Sequence, residues 1–206
     1  MLNIKQDFIT KDPIKRPGHK LDWTTITVHN TANEKSTAEN ERAWLSNPTN
    51  KRQASWHYVV HEGTIIQAIP DTEVAWHATD GANGPGNRTS ISIEVCEEGN
   101  FELSKQTAAK LIAQLLKSKN LPITAVKKHA DWTNKNCPRL LIPVWPQFLE
   151  MIQKELAPVP SLWENELDQA TKFVRAMNIS DGSNPEGTLT RGQLFVMLHR
   201  FFQKLH

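Results

Sequence analysis

The tightest constraint on this fold is a pair of short segments that alternate apolar and polar residues. In residues 24–30, Ile26 and Val28 point one way while Thr25, Thr27 and His29 point the other, which is the period of a half-buried strand. In residues 91–95, Ile91, Ile93 and Val95 oppose Ser92 and Glu94, and continued alternation puts Cys96 on the Glu94 face. Both strands need a core under their aliphatic side. Their other faces carry groups with proton and metal chemistry, and that combination directs attention to one site.

The remaining elements interleave with these strands. Ser36 with Glu39 has the form of a capping box, which starts a short helix that runs through Leu45 and ends before Pro48. Residues 56–61 and 64–69 are two β-rich runs flanking Glu62-Gly63, the two-residue spacing of a hairpin. Residues 79–89, rich in Gly, Asn, Asp and Pro, read as a loop. A helix from Ser104 carries Ala108, Leu111, Ile112, Leu115 and Leu116 on one stripe and stops before Pro122, and another covers 144–156.

With 206 residues the chain holds one filled core, residues 1–156, and a small appendage. Residues 157–160, Ala-Pro-Val-Pro, read as a short stiff linker. In residues 161–206, Trp163, Leu167, Ala170, Val174 and Met177 recur at helical spacing behind a Ser161 and Glu164 capping box. A second helix, capped by Thr190 with Gln193, carries Leu194, Leu198, Phe201 and Leu205. So short a module buries little surface alone, and it is expected to lean on the main domain or on a second copy of itself.

A formal net charge of +2 asks for neither nucleic acid nor an anionic membrane surface. Lys5, Asp7, Lys11, Asp12, Lys15 and Arg16 interrupt the first twenty residues, so they lack the apolar run of an export signal, and no window suits membrane insertion. Synthesis in the cytoplasm is the expectation. Cys96 and Cys137, the two cysteines, are too few for a disulfide framework and read as free thiols or metal ligands.

A catalytic zinc takes three protein ligands, commonly imidazole nitrogen and thiolate sulfur, and keeps one position for water. His29 near a strand end, with His129 and Cys137 bracketing the loop 130–136 ahead of Pro138, supplies such a set. A lone strand histidine, however, is ordinarily a hydrogen-bonded structural residue, and a single cysteine before proline is ordinarily buried.

Order and context add to that set. Residues 26–31 (Ile-Thr-Val-His-Asn-Thr), 55–60 (Ser-Trp-His-Tyr-Val-Val), 75–77 (Ala-Trp-His), 90–94 (Ser-Ile-Ser-Ile-Glu), and 129–131 with 135–138 stand in sequence. Together they resemble the type 2 N-acetylmuramoyl-L-alanine amidase family, which includes phage amidases and shares its fold with peptidoglycan recognition proteins. The resemblance covers residues 21–156. It implies an α/β fold with a central mixed β-sheet flanked by helices, a zinc ion at one end of a groove, and His29, His129 and Cys137 as its ligands. It also implies bacterial peptidoglycan as substrate and a role like that of a phage or prophage endolysin, acting on the wall at lysis.

By the same match Glu94 is the acidic residue beside the attacking water, and Lys135 the cation near the scissile carbonyl. The chemistry asks for both: amide hydrolysis needs a proton acceptor and donor, and an oxyanion needs a fixed positive charge. Where family members often carry a tyrosine with an assigned catalytic part, this chain has Trp56, whose indole neither delivers nor accepts that proton. Trp56 is therefore expected to be a groove wall that binds substrate. His77, beside Trp76 and ahead of the Gly-rich loop, is the other expected substrate contact, while His57 and His61 read as structural. Glu97 and Glu98 lie beyond the alternation and read as solvated. Cys96 reads as a buried free thiol.

The tail, including Asn178-Ile179-Ser180-Asp181-Gly182 and Leu189-Thr190-Arg191-Gly192-Gln193, looks like one degenerate S-layer-homology repeat. That implies binding to a secondary cell-wall polymer, with dimerisation through the helices as the competing use. Two other readings of the whole chain stay open: a peptidoglycan-binding module of the same fold without catalysis, and a zinc protein acting on another amide or with a structural metal.

Overall fold

The strand at the middle of the alternating pattern becomes an inner strand of a mixed sheet. The computed structural model describes residues 2–157 and 162–204. Among them are six strands: β1 (Lys5–Gln6), β2 (Thr25–Asn30), β3 (Tyr58–His61), β4 (Thr64–Gln67), β5 (Ser90–Val95) and β6 (Val126–Lys128), ordered β1-β4-β3-β5-β2-β6 across the sheet. β2 runs parallel to β5 and β6, β3 parallel to β5, and β1 parallel to β4, while β3 and β4 form the antiparallel hairpin. Its turn residues Glu62 and Gly63 both have positive φ, 42° and 95°. Such a two-residue turn matches the twist of the strands it joins.

Helices cover both faces. The main unit contains α1 (Ala38–Ser46), α2 (Pro85–Thr89), α3 (Phe101–Lys119) and α4 (Trp145–Leu156). Ile26, Val28, Val60, Ile91, Ile93 and Val95 pack with Leu111, Ile112, Leu116, Phe148 and Ile152 of α3 and α4. Each such large apolar side chain taken from water is worth about 1.5–3 kcal/mol. On the opposite face Val59, Ile66, Trp56 and Cys96 pack against Ala38 and Leu45 of α1. Strand parity therefore sends Thr27, His29, Ser92 and Glu94 to the α1 side. They lie toward the carboxyl ends of parallel strands, where open α/β sheets place their ligands.

Local departures from the sequence reading have plain causes. The α1 cap is Thr37, whose hydroxyl accepts from Asn40 N, rather than Ser36. α3 begins three residues before Ser104 because the Asn100 side chain accepts from Leu103 N. Within the expected loop 79–89, Pro85 at a first helical position opens the short helix α2. β1 and β6 have two and three residues, too few to display alternation.

The chain divides into two compact units, Met1–Ala157 and Pro158–His206. The second contains α5 (Leu162–Ala176) and α6 (Arg191–Phe202), with the expected Thr190 and Gln193 capping box at the start of α6. Between them Arg175 Nε donates to Asp181 O at 2.6 Å and Arg200 Nη1 to Ile179 O at 3.0 Å. Two helices bury only the faces they turn to each other, so Trp163, Phe195 and Phe202 are 62%, 64% and 58% exposed. Of the two apolar stripes, Leu167, Val174, Met177 and Phe201 are half-buried, whereas Trp163 and Leu194 are exposed. Residues 158–160 of the expected linker, the Ser161 cap and Leu205 lie outside the described residues.

Candidate active site

β2 and β5 pair in register, Thr25 with Ser90 through Asn30 with Val95, so His29 and Glu94 sit side by side. The second contribution comes from the segment after β6. A 3-10 turn at His129–Asp131 leads into a loop that closes on itself where Ala130 N donates to Cys137 O at 2.9 Å. Trp132 Nε1 ties it to β2 through Thr27 Oγ1 at 2.8 Å. His129 and Cys137 are thereby brought back to His29.

The donor atoms of His29, His129 and Cys137 lie within 4.8 Å of one another, and all three residues are buried. His29 Nδ1 is 3.0 Å from His129 Nδ1 and 3.7 Å from Cys137 Sγ. Tetrahedral zinc bonds would separate two nitrogens by roughly 3.3 Å and nitrogen from sulfur by roughly 3.6 Å. The donor set and its spacing fit zinc. Burial and the neighbouring His77 and His129 hold His29 well below the usual imidazole range, and burial with the Lys135 charge pushes His129 down to about 4. Both rings are thus neutral, as metal ligands must be. Burial and then the Glu94 charge push the Cys137 thiol up to about 12, so a cation is needed to hold it as thiolate.

Glu94 is half-buried, and its Oε2 has no hydrogen-bond partner among the described residues. Burial, then the charge of Glu41, raises its carboxyl to about 8. Lys135 is exposed on the loop, close enough for its charge to depress both His29 and His129. His29, Glu94, Lys135 and Cys137 line a groove of about 710 Å³ whose wall includes Trp44, Trp56 and Arg139. Trp56 stacks on Trp44 with centroids 5.6 Å apart and planes 19° from parallel, and its buried Nε1 is without a partner among the described residues.

His77 also borders the groove, yet it is buried, and its Nδ1 is 3.1 Å from His29 Nε2. His57 is wholly buried and structural: its Nε2 donates to Glu73 O at 2.8 Å while its Nδ1 accepts from Ser92 N at 3.0 Å. His61 pairs with Glu98 at 2.6 Å. Cys96 is buried in the α1-side core and stands apart from the three-donor cluster. Glu97 is a correction to the sequence reading. Its carboxylate is fully buried, its two oxygens sharing the single Arg139 Nε hydrogen at 2.9 and 3.1 Å while Oε2 also accepts from Arg139 Nη2. Glu41, Trp44, Asn87 and Arg139 were not found from sequence, since each reaches the site only through tertiary packing.

Comparison with known proteins adds an independent line. The profile of the N-acetylmuramoyl-L-alanine amidase family matches residues 19–140. N-acetylmuramoyl-L-alanine amidase CwlH of Bacillus subtilis is 41% identical over 162 residues, covering 77% of this chain and 64% of that protein. XlyA of Bacillus subtilis, also named as an N-acetylmuramoyl-L-alanine amidase, is 41% identical over 72% of this chain and 50% of its own length. The chain thus spans half to two thirds of these relatives. The structure of the catalytic domain of XlyA superposes with a TM-score of 0.70 at 41% identity, covering 73% of this chain and 99% of that domain. A mutant endolysin from Bacillus subtilis gives the same TM-score of 0.70 at 40% identity, covering 74% and 99%.

Proposed function

The chain belongs to the N-acetylmuramoyl-L-alanine amidase family, and from that membership we propose that it hydrolyses the amide between the lactyl group of muramic acid and L-alanine in bacterial peptidoglycan. The observation that carries the reading is the convergence of His29, His129 and Cys137 donors within 4.8 Å, beside a carboxylate with one unpartnered buried oxygen. Two nitrogens and one sulfur leave a fourth position free for chemistry, whereas a structural zinc site closes it with protein.

In this reading His29, His129 and Cys137 would hold a zinc ion, which would supply Lewis-acid polarisation of water and carbonyl. Glu94 takes the proton of the attacking water and passes it to the departing alanine amine. Burial and the Glu41 charge raise this carboxyl and a bound cation would lower it again, so it can take a proton and hand it on near neutrality. The Lys135 ammonium faces the carbonyl oxygen as negative charge develops on it. Trp56, stacked on Trp44, forms part of the wall against which the substrate lies.

The likeness to an endolysin supports a lytic role in a phage or prophage of a Gram-positive host. For residues 161–206 the same reading proposes attachment to a secondary cell-wall polymer, and the exposed Trp163, Phe195 and Phe202 are side chains that could serve it. Deleting that unit and measuring retention on purified walls tests this; undiminished retention would remove the targeting role and favour self-association through the same side chains.

Digestion of purified peptidoglycan tests the activity. New amino groups without new reducing sugars, abolished by chelator and restored by zinc, are the expected result. New reducing sugars would make the chain a glycosidase. Wall binding without new ends of either kind would make it a non-catalytic recognition module.

A further inference from the structure

Three residues that follow one another in the chain, His77, Ala78 and Thr79, cross behind the metal-ligand cluster. His29 presents its two ring nitrogens to different partners: Nδ1 faces His129 Nδ1 and Cys137 Sγ, while Nε2 on the far edge is 3.1 Å from His77 Nδ1. The two rings meet edge-on, with centroids 5.2 Å apart and planes at 87°. His129 repeats the arrangement: its Nε2 is 3.0 Å from Ala78 O and 3.0 Å from Thr79 Oγ1. The segment is itself pinned by Asn87, a buried residue of α2. Asn87 Oδ1 accepts from His77 N at 2.8 Å and from Ala78 N at 2.9 Å, while its Nδ2 donates to Gly81 O at 3.0 Å.

We propose that His77 is a positioning residue for the metal site rather than a substrate contact, and that Asn87 holds the segment carrying it in register. The inference rests on the zinc reading above. An imidazole that binds metal through Nδ1 carries its hydrogen on Nε2, and a ring free to rotate or to change tautomer loses that preference. His77 Nδ1 accepts the His29 Nε2 hydrogen, which fixes both the tautomer and the ring plane. Ala78 O does the same for His129. The strand-borne and loop-borne imidazoles are therefore oriented by one segment, and a single side chain, Asn87, sets its position. Such outer partners commonly carry 10–100-fold of a site's metal affinity.

The test is the zinc dissociation constant of the full chain, read by competition with a chromophoric chelator, with the cobalt-substituted protein giving the thiolate-to-metal absorption of Cys137. His77→Ala is expected to loosen zinc by about 10–100-fold. His77→Asn, whose Oδ1 falls near the position of Nδ1, is expected to recover most of that loss. His77→Gln, whose acceptor falls nearer the Nε2 position, is expected to behave like alanine, and it serves if His77→Ala fails to fold. Asn87→Ala should loosen zinc in the same direction with the cobalt spectrum broadened. Wild-type zinc affinity in both His77→Ala and His77→Gln, accompanied by a raised KM, would overturn the proposal and return His77 to the substrate groove. Failure of the wild-type chain itself to bind zinc would overturn the zinc reading together with this inference, an outcome distinct from loss in the variants alone.

Discussion

The two halves of the candidate site are built by different means. His29 and Glu94 stand on adjacent strands paired without interruption over six residues, with the α3 and α4 core beneath them. His129 and Cys137 sit at the ends of a loop whose intervening residues Asn134, Lys135 and Asn136 are exposed. That loop is returned to the sheet by the Ala130 to Cys137 backbone bond and by Trp132. The strand half is placed by register, so moving it by one residue would turn His29 into the opposite core. The loop half is placed by a few hydrogen bonds, each worth about 1 kcal/mol net. Metal ligation would then join a half set by strand register to one set by a few hydrogen bonds, and the second carries the thiol that must lose a proton.

This contrast orders the expected effects of substitution. Cys137→Ser removes the soft ligand from the loop half, and both zinc binding and amide hydrolysis should fall below detection while the thermal transition of the strand core persists; retained stoichiometric zinc would break the comparison. Glu94→Gln on the strand half should leave zinc bound and lower kcat by about 10²–10⁴-fold, the usual share of a general acid-base group. A loss of zinc instead would mean that Glu94 belongs to the ligand set.

The pH dependence of zinc affinity separates the halves again. His129 stays neutral down to about pH 4, and His29 lies well below the usual imidazole range, while Cys137 keeps its proton up to about 12. Binding should therefore release the thiol proton, and affinity should rise at least tenfold per unit from roughly pH 5 to 8, more steeply where the Glu94 carboxyl also gives up its proton beside the cation. If the steeper slope survives in Glu94→Gln, a histidine is charged in the free site. Last and smallest, Trp132→Phe removes the tie to Thr27. At about 1 kcal/mol it should weaken zinc by roughly fivefold, with faster amide exchange confined to residues 129–137. Exchange that quickens equally in β2 would show that the loop is not a separable part.

How far the sequence could be read follows the same division. Period-two alternation determines which face a residue takes once it lies on a strand, so the placement of His29 and Glu94 was legible, as was the Glu62-Gly63 turn that both positive φ angles satisfy. Alternation fails where the strand stops. Glu97, two residues past Val95, was read as solvated and is instead buried against Arg139. His77 was legible as a neighbour of the groove, but no local pattern states which nitrogen of a ring meets which partner. Asn87 lay hidden in a Gly- and Pro-rich stretch, where Asn ordinarily serves a turn. In the second unit the capping box of α6 was legible from Thr190 and Gln193. The apolar stripes were legible too, but a stripe does not specify what covers it, and Trp163, Leu194 and Leu198 are exposed.

The central claim is that this chain builds a zinc site with two imidazoles, one thiolate and an open fourth position. X-ray absorption at the zinc edge of the loaded 206-residue chain tests it most directly. The expected spectrum fits one sulfur at about 2.3 Å and three nitrogen or oxygen neighbours at about 2.0–2.1 Å, one of them exchangeable with added anion. A spectrum without sulfur, or with a second sulfur from Cys96, would contradict the account.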